Sequence, residues 1–559
     1  MLQKFSLSNL MRNCYFPLSA LAFFVMQARP SKTSFAETLI ASGVWLLLSA
    51  CVSPSVLWKF SRRSGRLMRI FSLLTAWGVC VYSSSYMYDR FSRHPEYLTM
   101  LNVSLHTVHF ACLVMIFPPM IFVYLCVNYF WYKFTGLVRS SGLTRGVSRR
   151  EFAGYAMIFL VSLLMMVIIF AKSDAFYGAL PFDVIYTADS GALMKPSCFL
   201  SLNHPENDIR QPLFGLFALP FMGLPYLMGR IASLFFGGEK FFVAAFMNAV
   251  QVAMLIAGLF TLAKAMSLSS RQRLCFVLFS SSTYTYMLNS VTMEQYIIVF
   301  FWLALSLYFM CQVPKPDSMI LHGAGGTLIT SLVLVPSYLL RGWGGGGRYF
   351  SRIFKVVVEF IFLLVIFCRT GRIYHFFSNI NSLLKFSGIG SNYVPFTDRL
   401  IQYSSFLRYI FLPPSAGLHE GGLNLWSLWN AGISWQLNPS ESVNLAGIFV
   451  VALAFLSAFV NRKSKVCCVS FMWLLYSFII LCVFGWGTAE NGLILYSLYF
   501  SWAVFILMFS LVVKAEELSG VRFIVPVFAL FAAALMLCAN LPAMSELVGF
   551  AVKYYPYSW

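Results

Sequence analysis

Apolar runs of about twenty residues, set apart by short basic clusters, constrain this chain more than any other feature. They occupy about 34–54, 104–129, 152–171, 241–263 and 492–513. Each is long enough for a helix to cross the ~30 Å hydrocarbon core of a bilayer. The composition agrees: of 559 residues, 59% are hydrophobic and 11% charged, where a soluble domain carries roughly 25% charged. The runs do not alternate as barrel strands do, and helices satisfy every backbone polar group within lipid. The expected class is an all-α polytopic membrane protein.

The net charge of +20 lies in short clusters between apolar runs. No Arg/Lys block is interleaved with aromatics, so no nucleic-acid partner is expected. Thirteen cysteines show no ligand spacing, and Cys467 and Cys468 are adjacent; they read as small hydrophobes. An apolar segment at about 14–27, with no small-residue cleavage site after it, reads as a retained anchor rather than a signal peptide.

The basic clusters orient the chain, because cytoplasmic loops carry the excess of Lys and Arg. Arg62, Arg63, Arg66 and Arg69 form one cluster. Lys133, Arg139, Arg145, Arg149 and Arg150 form the next, two spans later, hence on the same side. The span at 152–171 then runs outward. The group Lys264, Arg271 and Arg273 falls on the cytoplasmic side only if 212–236 does not fully cross. That segment holds Pro212, Pro220 and Pro225 with Gly215, Gly223 and Gly229, and a broken or interfacial segment is expected. Later spans are expected at about 274–288, 356–368, 444–460, 466–484 and 521–539, leaving Met544–Trp559 outside. The count is about 12–14 transmembrane helices with two large non-cytoplasmic loops.

The first of these loops, Asp174–Leu213, holds Asp174, Asp183, Asp189, Glu206 and Asp208, five of the chain's twenty acidic residues. His204, Glu206 and Asp208 fall within five positions and offer a site for a divalent cation or a sugar. The second loop, about 369–443, carries Arg399, Arg408, His419 and Glu420 among tryptophans and glycines, and reads as folded onto the membrane. Glu294 stands at the mouth of the clean apolar run Ser290–Phe309, and Glu490 precedes a late span. The run Gly344–Gly347 lacks the GK[ST] of a phosphate loop and reads as a turn.

An acidic outer loop, a cationic and aromatic outer loop and an apolar body suit a polyisoprenyl-phosphate sugar. Its tail needs an apolar groove, its phosphate a cation, its sugar aromatic faces, and the acceptor hydroxyl a carboxylate as base or orienter. A flippase or polysaccharide polymerase handling lipid-linked glycans shares these needs, but places charge inside its spans. Here nearly all charge lies in loops or at span ends, with Glu359 the clearest exception.

Local order carries a resemblance. YTADSGALM (Tyr186–Met194), NHPENDIRQPLFG (Asn203–Gly215), SVTMEQYIIVFFW (Ser290–Trp302) and GWGTAENGLILYSLYFSW (Gly485–Trp502) are similar to segments of the C-type glycosyltransferase (GT-C) superfamily of integral-membrane enzymes. The resemblance covers roughly 150–310 and, less closely, 485–502. It implies a GT-C-like fold and a glycosyltransferase moving a sugar from a polyprenyl-phosphate carrier to an envelope glycan, lipid or protein acceptor. A single displacement at the anomeric carbon would invert it; the resemblance also implies residence in a bacterial inner membrane. By it, Asp189 is the carboxylate that activates the acceptor, with Asp183 the alternative. A lysine precedes the loop-exit prolines in aminoarabinose-type relatives; here Arg210 stands near that place. Arg210, Glu294, His204, Glu206, Asp208, His419, Glu420, Arg399, Arg408 and Glu490 are the candidate substrate-binding residues. No cofactor beyond a possible divalent cation is implied. The expected domains are an N-terminal transmembrane extension (1–150), a catalytic transmembrane core (151–368, outer loop 172–212), a large outer loop (369–443) and C-terminal helices (444–559).

Overall fold

A computed structural model describes residues 15–22, 54–93, 95–96, 99, 102–114, 116–178, 180, 185–186, 193, 211–313, 317–328, 330–331, 354–361, 363–364, 387–390, 393–414, 416–420, 431–435, 443–488 and 493–558. The chain is a multi-pass, helical membrane protein. Among the described residues nine helices are long and apolar enough to cross a bilayer. They are α2 (Arg66–Arg93), α4 (Met120–Ser140), α5 (Arg149–Phe170), α6 (Phe214–Phe236), α7 (Glu239–Ala265), α10 (Gln295–Gln312), α14 (Lys465–Ser477, prolonged by a π-helical turn Phe478–Val483), α15 (Ser497–Ser519) and α16 (Ile524–Tyr554).

Shorter helices complete the order: α1 (Pro54–Arg63), α3 (Leu105–Val114), α8 (Ser270–Ser281), α9 (Tyr284–Val291), α11 (Ser318–Thr327), α12 (Phe396–Tyr409) and α13 (Leu445–Val460). One two-stranded antiparallel hairpin, β1 (Ala416–Glu420) with β2 (Ala431–Trp435), joins them.

Helix α10 is the axis of the bundle. It is apolar all round and buried from Tyr296 to Met310, as a helix without a polar face must be. Helices α5, α13 and α16 form part of the outside. Met157, Leu160 and Leu164 on α5, Phe449, Phe455 and Phe459 on α13, and Val527, Leu530 and Phe531 on α16 are exposed. Lipid tails cover such surfaces at no cost, whereas water does not.

Four expectations are corrected. The segment after Pro212 is one continuous helix, α6, with Pro220 and Pro225 inside it. Each proline deprives a preceding carbonyl of its intrahelical donor, and close packing on both sides keeps the helix continuous. A Cβ on Gly78 of α2 would lie 2.3 Å from the Gly223 oxygen, and one on Gly229 would lie 2.5 Å from the Val243 Cα. The run 104–129 is split at Phe117-Pro118-Pro119 into α3 and α4, since proline cannot continue the first helix. The run 274–288 is likewise cut, at Ser282-Thr283, where Thr283 caps α9 by accepting from the Tyr286 N–H. Met544 begins no outer tail: α16 runs on to Tyr554.

Side-chain contacts sort the helix ends into two groups. At the basic end, the Lys264 Nζ donates to the Arg145 carbonyl at 2.6 Å and Arg271 pairs with Glu516 at 2.8 Å. Lys133 there pairs with Asp317 at 3.0 Å. The centre of this end is a buried pair, Arg273 Nε to Glu151 Oε1 at 2.6 Å. Two capping boxes stand side by side there, Ser148 with Glu151 starting α5 and Ser269 with Gln272 starting α8.

The basic group 264–273 thus shares an end with Arg145 and Arg149, although α6 between them is an unbroken helix. Both flanks of α6 meet residues of the other end. Gln211 Nε2 donates to the Tyr499 hydroxyl at 2.9 Å, and Gly238 lies against the Tyr557 hydroxyl.

Candidate active site

The site is built at the end opposite the basic one, where the chain breaks between α9 and α10. Thr292 and Glu294 are extended, with φ −114° and −137°. A break inside an apolar body exposes backbone groups that must find partners. Helix α7 supplies two. Asn248 Nδ2 donates to the Ser290 carbonyl at 3.0 Å and Gln251 Nε2 to the Glu294 carbonyl at 2.8 Å. The Met293 N–H is taken up by the Phe176 carbonyl at 3.2 Å.

Glu294 is 2% exposed and stands at the N-terminus of α10, where the helix dipole favours a negative charge. Glu294 lines a small cavity with Ile185, Tyr186, Leu288, Asn289, Thr292 and Ile494. The cavity has room for about one water. Tyr186 holds φ +50°, a left-handed conformation unusual for a bulky residue and often found where function fixes the backbone. Its hydroxyl lies 3.1 Å from that of Tyr284. Burial pushes Tyr186 up to about 12, and Tyr284 well above the ordinary tyrosine range. Both hydroxyls therefore remain protonated at neutral pH.

Aromatic rings extend from the cavity. Tyr296 meets Tyr499 edge-on with centroids 4.7 Å apart, Tyr499 neighbours Tyr496 at 6.2 Å, and Trp486 Nε1 donates to the Tyr496 hydroxyl at 3.2 Å. Trp486 belongs to the turn Gly485–Thr488, against which Arg399 of α12 packs at Gly485. Arg399 is 5% exposed and donates through Nη1 to the Val483 carbonyl. A Cβ on Gly485, whose φ is +67°, would lie 2.5 Å from the Arg399 Cδ. Only glycine fits that turn over the arginine.

The structure therefore brings Glu294 and residues 485–488 and 493–499 to one end of the bundle. Arg399 is in the same region, but its contacts are to the Val483 carbonyl and the Phe396 ring. Arg408 is half-buried, its guanidinium 5.4 Å from the centre of the Tyr409 ring. His419 and Glu420 stand on β1 opposite Gly432 and Ala431. Asp183, Asp189, His204, Glu206, Asp208, Arg210 and Glu490 lie outside the described residues. Among the described residues no three His, Cys, Asp or Glu side chains gather as metal ligands do.

Asp174, the first acid of the loop, is committed elsewhere. Its Oδ1 accepts from the Tyr177 hydroxyl and its Oδ2 from Ser558 Oγ, each at 2.5 Å. Burial and this carboxylate together push Tyr177 upward.

Sequence reading passed over Tyr186, Tyr284, Asn248 and Gln251. The last two carried a signal, being carboxamides inside the apolar run 241–263. The chain matches no family model, no curated protein and no solved structure.

Proposed function

We propose that this protein is a glycosyltransferase of GT-C type. It moves a sugar from a polyprenyl-phosphate carrier to an envelope glycan, lipid or protein acceptor at the non-cytoplasmic face of a bacterial inner membrane. The observation that carries the reading is the buried Glu294 carboxylate at a broken helix, beside an array of tyrosine rings. It stands at the end of the bundle away from the basic cluster. Aromatic faces suit a sugar ring, and a carboxylate fixed in an apolar body suits an acceptor hydroxyl or the charge that grows on the sugar.

In the proposed step the acceptor oxygen attacks the anomeric carbon from the side opposite the phosphate. The new C–O bond forms as the bond to the phosphate oxygen breaks, and the electron pair leaves with the phosphate. Asp189 takes the acceptor proton. Arg210 faces the phosphate charge, and Glu294 and the tyrosines hold the sugar. The step inverts the anomeric centre and needs no hydrolytic carboxylate pair, because phosphate is already a good leaving group.

The test is transfer of radiolabelled sugar from polyprenyl-phosphate donors by the purified chain in lipid. Wild type is expected to transfer, with Asp189→Asn and Glu294→Gln each lowering the rate at least about a hundredfold. Unchanged transfer in Asp189→Asn removes that residue from the step. Lipid flipping without transfer from any donor overturns the enzyme class.

A further inference from the structure

The first turn after α5 is tied to the far end of the chain. Ser173 pairs with Pro556 as an isolated antiparallel bridge, and Ser173 Oγ donates to the Tyr555 carbonyl at 2.6 Å. The Asp174 N–H donates to the same carbonyl at 3.2 Å, and the Tyr557 N–H returns to the Lys172 carbonyl at 3.0 Å. Asp174, 5% exposed, closes the clasp by accepting from both the N–H and the hydroxyl of Ser558, at 3.2 and 2.5 Å. Two residues further on, the Phe176 carbonyl accepts the Met293 N–H at 3.2 Å. Met293 adjoins Glu294, so the turn Asp174–Phe176 has the clasp on one side and the wall of the cavity on the other.

We infer that Asp174 is a positioning residue. Through the 555–558 clasp it fixes the turn whose Phe176 carbonyl sets the backbone at Met293, and so the place of Glu294. The physical reason is geometric. Phe176 is completely buried, and its carbonyl can meet the Met293 N–H only while the turn keeps its three-residue 3₁₀ form. That form is held by Ser173 capping the Ala175 N–H at 3.2 Å and by the Asp174 bonds to Tyr177 and Ser558. The charged acceptor is the strongest member, since hydrogen bonds to a carboxylate are roughly twice as strong as neutral ones. Only the catalytic consequence of this role rests on the glycosyl-transfer reading.

Hydrogen exchange followed by mass spectrometry on the full chain in detergent tests it without any donor. Asp174→Ala is expected to speed exchange about tenfold in peptides covering 290–296 and 553–558. Peptides covering 148–155 and 270–275, at the basic end, should not change. Asp174→Asn keeps an acceptor oxygen and should restore most of the protection at 290–296, which general loosening would not do. Ser558→Ala, a milder change, should give the same local pattern at smaller amplitude. Faster exchange confined to 553–558, or equal acceleration at both ends of the bundle, overturns the inference. Absence of sugar transfer in wild type overturns the enzymatic reading and leaves this exchange result standing.

Discussion

Removing the Arg273 side chain should be among the most damaging single changes at the basic end. The guanidinium makes a two-pronged contact with Glu151, Nε to Oε1 at 2.6 Å and Nη2 to Oε2 at 2.8 Å. Its Nη1 donates to the Leu268 carbonyl and its Nη2 to the Gly146 carbonyl, both at 2.8 Å. Glu151 also accepts from Tyr155 at 2.8 Å and Ser270 at 2.6 Å. The side chains are 7% and 1% exposed, so water cannot replace a lost partner.

Arg273→Met leaves the carboxylate with neutral donors only, at a loss of about 3–5 kcal/mol for an uncompensated buried charge. The freed carbonyls of Gly146 and Leu268 add about 1 kcal/mol each. The sum approaches the 5–15 kcal/mol by which folded proteins are typically stable, so Arg273→Lys is the quantitative probe. It keeps the charge and gives up the planar fork, and a loss of about 1–3 kcal/mol is expected. The double change Glu151→Gln with Arg273→Met should recover much of the single loss, because no charge is then left buried.

The assay is reversible unfolding in mixed micelles, run as a double-mutant cycle. A loss below about 0.5 kcal/mol for Arg273→Lys, or additive effects in the cycle, would refute the argument. The hydrogen bonds it donates to Glu151 hold Arg273 further up than an ordinary arginine. A raised folded value means the cation contributes its stability below the unfolded pKa and loses it only as pH climbs through the folded one. That window lies above any accessible pH, so the cation adds no pH dependence.

Two further perturbations follow from the packing and the site. Gly229→Ala places a Cβ 2.5 Å from the Val243 Cα; backbone cannot yield as a side-chain tip does, and a loss of about 1–3 kcal/mol in the same unfolding assay is expected. Tyr186→Phe should cost about 1 kcal/mol at neutral pH, by taking a partner from Tyr284. Because burial raises Tyr186 to about 12 in the folded chain, its contribution is complete below the ordinary value of about 10 and is lost as pH rises from there to about 12. The phenylalanine variant should lack that part of the alkaline loss, and a Tyr186 phenolate signal near pH 10 in the folded wild type would sink the assignment.

The membrane class, the helical form and the gathering of positive charge were legible in the sequence, because each follows from local composition. A run such as 152–171 must be a helix in lipid whatever its neighbours are, and α5 spans Arg149–Phe170. The interruptions were legible only in part. Two prolines and three glycines in 214–236 argued for a broken segment, yet tertiary packing on α2 and α7 keeps α6 whole. Thr283 gave the local capping signal for a break that the apolar run around it hid.

Within the candidate site, Glu294 stood out because a lone carboxylate at the head of an apolar run is conspicuous. Its burial, and its neighbours from α7, α9, Ile494 and the turn at Phe176, depend on contacts between segments far apart in sequence, on which local pattern is silent. The same holds for Asp174. As one of five loop acids it carried no sequence signal of a role of its own. The return of residues 555–558 to the head of that loop brings it Ser558, a donor 384 positions away, beside the local Tyr177, and a carboxylate's role depends on the donors around it.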